Sequence, residues 1–420
     1  MTIELGVIAD DITGACDVAA GVSAAGLDVE VRLGAPRTGE QLVASCVIVA
    51  LKSRTAPVAD AVVESVAAAR ALRDAGARRL YQKYCSTFDS TDAGNIGPVA
   101  DALLDQLASA TISVGTPATP AVGRTMHRGH LFVGDRLLSE SSLAMHPLTP
   151  MRDPDLVRVL ARQTPRGVGS VPIEVVHAGA AAIRSRVSEL RATHVRHVLL
   201  DAIEDADLDA AATALLDEDD VLLGGAAGLS VALARRLAGG REHVVAPPPS
   251  GRGLVLSGSG SERTRAQVAA HRGPVRTIRV DELAGDFEGV IASALGFIET
   301  EAGRGIPLIT ATAEPAEVAR AQERWGRARA AALVEEALAR IAMEAVRGHG
   351  VRRILVAGGE TSGAVTAALG MSALRVRRVV APGVAWMTAT DEAGRDLDLC
   401  LKSGNFGGEA LFGEAWEETP

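Results

Sequence analysis

Short, mostly apolar runs recur along the first half of the chain, each ending in a cluster of polar or turn-forming residues. Ile3 to Ala9 and Cys46 to Leu51 are of this kind, and Val29 to Leu33 and Leu80 to Tyr84, which mix apolar with polar residues, read as further strands among them. A run that is apolar at successive rather than alternate positions is buried on both faces, as the strands of parallel sheets are. Between these runs lie helix-like stretches: one from the Asp10-Asp11 pair to Ala25 stopped by Gly26, Val58 to Ala75 closed by Gly76, and Gly97 to Ala108. Glycine just past the last periodic residue is the usual helix stop. The alternation predicts right-handed βαβ units.

The pattern breaks between Thr116 and Pro154 into an irregular stretch rich in Pro, Gly, His and Met, with a hairpin expected around Leu131 to Leu138. Irregular segments of that length in compact domains are commonly functional. Strands resume near Val198 to Asp201 and Val221 to Gly225, with a helix after Gly228. Pro247 to Pro249, followed by Ser250 and Gly251, reads as a semi-rigid linker. Beyond it, strands are expected at Gly253 to Leu256, Val275 to Val280, Pro307 to Ala311 and Ile354 to Ala357, with a long helix from Arg327 to Val346. The fold class predicted is α/β in two domains, each a mainly parallel sheet flanked by helices: residues 1–246, a linker at 247–252, and 253–420.

Composition narrows the function. A net charge of -9 over 420 residues argues against a nucleic-acid partner, which needs a basic stripe. With aromatics at 3% there is no stacking platform for single strands. No run of about twenty apolar residues points to a membrane span, and the start of the chain lacks the order of a signal peptide. The four cysteines, Cys16, Cys46, Cys85 and Cys400, have no metal-binding spacing and are expected as reduced thiols in a cytoplasmic protein. His127, His130 and His146 show no zinc-type arrangement.

The candidate chemistry sits where strands end. Asp10 and Asp11 follow the first strand, and open α/β sheets bind ligands outside their strand carboxyl ends. One of the pair suits a helix cap; the other is a candidate general base or magnesium-associated ligand. After the third run comes Lys52-Ser53-Arg54, two cations able to clamp a carboxylate or phosphate. After the fourth comes KYCSTFDSTDAGNIG, whose Lys83, Ser86, Thr87, Asp89 and Asn95 offer the directional donors and acceptors a polyol needs. Cys85 has no histidine beside it and is expected to line the site rather than act as a nucleophile. In the second domain, LVLSGSGS (Leu254 to Ser261) and ILVAGGETSG (Ile354 to Gly363) are glycine-rich strand-to-helix turns whose backbone can approach phosphate oxygens. The tail LKSGNFGG adds Lys402, Gly404 and Asn405. Neither turn is a Walker A loop or a GxGxxG fingerprint, which disfavours an oxidoreductase of the dinucleotide-binding type.

Taken together and in order, the ADDITGA, KSR, KYCSTFDST, GNIG, SGSGS, GGETSG and KSGNFG strings resemble the four-carbon acid sugar kinase family over essentially the whole chain. The resemblance implies a sugar-acid-binding first domain and an ATP-binding second domain. With GRTMHRGHLFV and HPLTPM, and with Cys85 where threonate and erythronate kinases more often carry an acid, it is nearest to the members acting on 3-oxo-tetronates. It implies transfer of the γ-phosphoryl group of ATP, accompanied by Mg2+, to the 4-hydroxyl of that acid. D-threonate or D-erythronate is the alternative substrate, and a non-catalytic nucleotide-gated sugar-acid sensor the alternative function. By motif, the resemblance places Ser257, Ser259, Gly358, Gly359, Glu360, Thr361 and Gly404 at the nucleotide. Asp10 or Asp11 would take the hydroxyl proton, Lys52, Arg54 and Lys83 would hold the substrate carboxylate, and Lys402 would approach the phosphates. Domain closure would exclude water, and a homodimer is compatible with the chain.

Overall fold

The computed structural model describes residues 2–37, 40–106, 111–145, 149–218, 220–240, 247–301 and 303–417; His146 and Ala108, named above, lie outside them. The chain forms two compact units, Met1–Val244 and Val245–Pro420.

The strands of the first unit are β1 (Leu5–Ala9), β2 (Val29–Leu33), β3 (Cys46–Ala50), β4 (Arg79–Lys83), β5 (Ile112–Thr116), β6 (Arg124–His127), β7 (His130–Val133), β8 (Arg136–Leu137), β9 (Gly167–Val171), β10 (Val195–Leu200) and β11 (Val221–Gly225). The main sheet runs β2-β3-β1-β4-β11-β5-β10-β9, parallel at every pairing. Both β1 and β3 are buried along their full length, which is what their unbroken apolar runs demand. On one face Ile8, Val47 and Leu80 pack against Leu72 of the helix Val58–Asp74 and Leu103 of the helix Ile96–Gln106. Truncating a side chain such as Leu72 in a core like this costs about 2–5 kcal/mol.

Register aligns the functional edge. Ala9 pairs with Ala50 on one side and Lys83 on the other, and Gly225 pairs with both Lys83 and Thr116. The carboxyl ends of β3, β1, β4, β11 and β5 therefore stand level. The chain leaves β1 towards β2 and β4 towards β5, in opposite directions, so the β1–β4 boundary is the topological switch point where open α/β sheets bind ligands.

The hairpin expected around Leu131 to Leu138 is present as β7-β8, and β6 extends it into a small antiparallel sheet, β6-β7-β8, with turns at Arg128-Gly129 and Gly134-Asp135. Its first turn is fixed by Asp201 at the end of β10, whose carboxylate accepts from the backbone of Arg128, Gly129 and Ile173. Strand β9, Gly-Val-Gly-Ser-Val, lacks the apolar run that marks its neighbours and escapes a hydrophobicity pattern.

The second unit contains β12 (Arg252–Ser257), β13 (Val275–Thr277), β14 (Leu308–Thr310), β15 (Val351–Ala357), β16 (Ala373–Ala381), β17 (Val384–Thr390) and β18 (Asp396–Lys402). Its order is β13-β14-β12-β15-β18-β17-β16, parallel as far as β18 and antiparallel beyond. The expected strand Val275 to Val280 stops at Thr277. Val280 instead opens the helix Val280–Gly285, because the Glu282 carboxylate accepts from the Arg279 backbone and starts the helix there. The core joins Val255, Leu355, Trp386 and Phe412, and the guanidinium of Arg353 stacks 5.0 Å from Trp386 and 5.3 Å from Trp416. Among the described residues, no helix is long and apolar enough to cross a membrane.

Candidate active site

At the switch point, backbone hydrogen bonds join three strand ends before any side chain is considered. The Asp10 N–H donates to Lys83 O at 3.2 Å, and Asp10 O accepts from Ser53 N–H at 3.1 Å and Arg54 N–H at 3.2 Å. The KSR turn is held from the other side by Asn95, whose amide donates to the carbonyls of Ser53 (2.6 Å) and Ala56 (2.9 Å). Its Oδ1 is buried without a hydrogen-bond partner among the described residues. A cavity of about 20 Å3, lined by Asp10, Arg54, Gln82, Ser90 and Asn95 among others, has room for a single water there.

Arg54 organises the acid pair. Its Nε and Nη2 each donate to Asp10 at 2.9 Å, and Nη2 also reaches Asp11 Oδ1 at 2.8 Å. Asp11 caps the helix Ile12–Ala24, accepting from the Gly14 N–H at 2.9 Å and the Thr13 hydroxyl at 2.6 Å. Burial alone would raise the Asp11 carboxyl, but Arg54, Lys83 and these hydrogen bonds overrule it and hold it below the usual carboxylate range. A carboxylate has about four acceptor positions. Asp11 spends three of them and Asp10 only two, both on Arg54. Asp10 is the acid with capacity to spare.

Lys83 is 3% exposed and makes no hydrogen bond among the described residues, while acting through space on Asp11 and Asp17. It points across the first turn of the helix Ile12–Ala24, where a Cβ on Gly14 would come within 2.6 Å of Nζ. Beyond it the chain folds into a polar turn in which Cys85 Sγ lies 3.1 Å from Thr87 Oγ1 and 3.2 Å from Asp89 Oδ2. Burial, then Asp89, pushes the Cys85 thiol up to about 11, so it is a neutral hydrogen-bond donor. Phe88 takes a left-handed backbone (φ 54°) and buries its ring edge-on against Tyr84, which turns Thr87 and Asp89 towards the site. Ser86 is half-buried on this turn, whereas Lys52 projects to solvent. The cavity beside Asp10 therefore gathers Ser53, Arg54, Lys83, Asp89 and Asn95 but not Lys52.

Two further residues belong to this edge: Asp17, which no motif contains, and Arg124, which lies in the GRTMHRGHLFV string without a role read from it. Asp17 lies on the helix behind Asp11, and burial pushes its carboxyl up to about 6, partly offset by Lys83. Arg124 comes from β6, within electrostatic reach of Cys85 and Asp89. Nothing in the motifs pairs either one with the strand ends.

In the second unit the three glycine-rich turns lie side by side, because β12, β15 and β18 are neighbours and Ser257, Ala357 and Lys402 are in register. The Gly258 N–H donates to Ala357 O and the Gly358 N–H to Lys402 O, both at 3.0 Å. Gly358 has φ 125°, open to glycine alone, and a Cβ would press within 3.1 Å of Thr361 Oγ1 and 3.3 Å of Ser259 N. Ser261 caps the helix Glu262–Ala270 and also donates to Gly404 O at 2.7 Å. Thr312 ties the first turn to the residues after β14 by donating to Ser259 O at 2.9 Å, with Ser257 Oγ 2.7 Å from its hydroxyl.

Beside these turns opens a cavity of about 740 Å3. Gly258, Gly260, Glu360 and Thr361 form one wall; Ile278, Val318, Ala321, Ala331 and Val334 form an apolar one. A nucleoside triphosphate matches that division, its base against the apolar wall and its phosphates against the glycine turns. Apart from Ile278, which follows β13, the apolar wall comes from helices Pro315–Trp325 and Arg327–Gly348, which sequence motifs do not single out.

Lys402 corrects one expectation. It is wholly buried, donating to Gln267 Oε1 (2.6 Å), Thr264 Oγ1 (3.1 Å) and Gly404 O (3.1 Å). Burial brings its pKa down to about 8. Gln267 in turn donates to the carbonyls of Phe406 and Gly408. Lys402 thus braces the tail turn from beneath rather than reaching a phosphate.

Comparison with known proteins assigns the two units separately. Residues 5–233 match a family described as the sugar-binding N-terminal domain, and residues 254–412 match the nucleotide-binding C-terminal domain. The chain is 46% identical to a Burkholderia multivorans 3-oxo-tetronate kinase, covering 98% of this chain and 96% of that one. It is 38% identical to the 3-oxo-tetronate kinase of Haemophilus influenzae, with 97% and 98% covered. Among solved structures, a Salmonella typhimurium protein described as a tRNA synthase superposes with a TM-score of 0.90 at 36% identity over the full length of both chains. A Haemophilus influenzae protein gives 0.81 at 37% identity, with 98% of each chain covered. The chain belongs to the four-carbon acid sugar kinase family, a sugar-binding domain followed by a nucleotide-binding domain.

Proposed function

We infer that the protein is an ATP-dependent kinase of a four-carbon sugar acid, and that its substrate is a 3-oxo-tetronate phosphorylated on the 4-hydroxyl. The observation that carries this reading is the Asp10–Arg54 pair at the switch point of a sugar-binding domain, with acceptor capacity on Asp10 still open. Relatives of that activity over nearly the whole chain support it. Phosphoryl transfer asks a protein for positioning and charge neutralisation. Asp10, fixed by Arg54, accepts the hydrogen bond of the 4-hydroxyl and receives its proton as the oxygen attacks the γ-phosphorus, and ADP leaves. Asp11 holds the helix start and keeps Arg54 in place.

Mg2+ enters with ATP as part of the substrate. At the glycine turns themselves the Glu360 carboxylate and the Ser259 and Thr361 hydroxyls offer oxygen donors, a set that suits a hard cation. Cys85 puts a neutral thiol, its one proton given to Asp89, where kinases of threonate and erythronate more often carry an acid, which favours the 3-oxo acid. The acidic balance of the chain weighs against a tRNA substrate.

The test is ADP release measured across 3-oxo-tetronates and tetronates of both hands, with the product identified by mass and phosphorus spectroscopy. Turnover of a 3-oxo-tetronate at least tenfold above the tetronates is expected. Preference for a tetronate would overturn the substrate assignment, and nucleotide binding without turnover of any acid would favour a sensor.

A further inference from the structure

Three part-buried or buried cations stand at the carboxyl edge of the first unit, and among the described residues only Arg54 hydrogen-bonds to carboxylates. Lys83 is buried and makes no hydrogen bond among the described residues, acting on Asp11 and Asp17 only through space. Arg124 donates Nη1 to the backbone carbonyl of Val122, while its Nε is buried without a hydrogen-bond partner among the described residues. No carboxylate lies at ion-pair distance from it among the described residues. Asp89 is within electrostatic reach, yet its oxygens already accept from Thr87 and Cys85. Burial holds the Arg124 pKa below the ordinary arginine value. Cations removed from water in this way are costly unless an anion meets them.

The position of Arg124 is built, not incidental. Its backbone pairs with Thr119 (N–H to O 3.2 Å, O to N–H 2.8 Å), two residues on pairs Met126 with Ala202, and the turn after it is held by Asp201. Thr119 follows β5, whose end is level with Gly225 and Lys83. The small antiparallel sheet thus carries a guanidinium to the edge where Lys83 waits, on the Cys85–Asp89 side of the site.

We propose that Arg124, together with Lys83, binds the carboxylate of the sugar acid across the Cys85–Asp89 turn, and so decides which end of the substrate faces Asp10. The proposal rests on the sugar-acid reading given above. It replaces Lys52, which is exposed, and Arg54, which is occupied by Asp10 and Asp11, as the carboxylate anchors. A four-carbon acid carries its carboxylate at one end and the reacting hydroxyl at the other. Fixing the carboxylate at Arg124 therefore selects the 4-hydroxyl for transfer.

The experiment compares Arg124→Gln and Arg124→Lys with the parent enzyme in steady-state kinetics. Two acceptors are used: 3-oxo-tetronate, and the neutral ketotetrose with a hydroxymethyl group in place of the carboxylate. For Arg124→Gln, kcat/KM for the acid should fall on the order of 100-fold. Turnover of the ketotetrose and KM for ATP should stay within about twofold. Arg124→Lys should lose about tenfold on the acid alone, because it keeps the charge but not the two-point geometry. If the glutamine variant does not fold, by circular dichroism and nucleotide binding, the lysine variant decides by the same selectivity. Equal losses on acid and ketotetrose, or no loss on either, overturn the proposal. A parent enzyme that turns over neither acceptor overturns the sugar-acid reading and the proposal with it.

Discussion

The two carboxyl edges of this protein are built from opposite materials. In the first unit the edge is made of charged side chains: Asp10, Asp11 and Arg54, braced by hydrogen bonds among themselves and by Asn95, with Lys83 and Arg124 on the same edge. In the second it is made of backbone and hydroxyls, with three glycine turns held in register and one lysine hidden beneath them. A small acid with a directional hydroxyl is recognised by fixed charges. A triphosphate is cradled by N–H groups and tolerates no side chain where they must approach it. The difference predicts that damage to the two edges will separate kinetically.

The largest separation should come from Asp10. Asp10→Asn keeps the shape and one Arg54 contact but removes the proton acceptor, so kcat should fall by about 10²–10⁴. Nucleotide affinity, measured by titration calorimetry with ADP, should not change. Asp11→Asn is expected to act instead on the stability of the helix start, with a smaller loss of kcat. An Asp10→Asn enzyme with near-normal turnover would remove the chemical role from the first edge.

Gly358→Ala is the converse test. Forcing an L residue to φ 125° against Ser259 and Thr361 costs about 1–3 kcal/mol, roughly 10- to 100-fold in nucleotide affinity if the turn shifts to relieve it. The KM of the sugar acid should hold. An unchanged ADP affinity would mean that the phosphates do not approach this turn.

The same contrast explains what could be read from the sequence. Strand ends preceded by apolar runs announce themselves, so Asp10, Asp11, the KSR turn, the Lys83 segment and the two glycine turns are visible as strings. Their grouping follows from parallel topology. What side chains do once grouped is not visible: Arg54 and Lys52 look alike in sequence, but one clasps two aspartates and the other faces solvent. Lys402 looks like a phosphate ligand and is a brace, because only folding shows which of its neighbours offer acceptors. Arg124 and the apolar wall of the second-unit cavity are contributed by elements distant in sequence, an antiparallel excursion and two amphipathic helices, whose patterns report burial but not what they bury against.

The smallest effect, and the subtlest contrast, concerns the charge each edge hides. Asp17 sits behind Asp11, and burial raises its carboxyl from 3.8 to about 6. A folded-state pKa above the unfolded one means that the native protein binds more protons than the unfolded chain between about pH 4 and 6. By linkage, the Asp17 contribution to stability is best below pH 4, declines as pH rises to 6, and is a constant penalty above that. Asp17→Asn removes the ionisation and so the penalty. Its melting temperature should exceed that of the parent by about 2–4 °C at pH 7.5, with the gap closing as pH falls towards 4. Lys402, whose pKa is lowered to about 8, hides a charge of the other sign, and its linkage lies in the alkaline range. A gap that is flat from pH 4 to 8, or a destabilised variant, would show that Asp17 is held ionised by Lys83. That ammonium would then be committed before substrate arrives, and the carboxylate of the acid would rest on Arg124 alone.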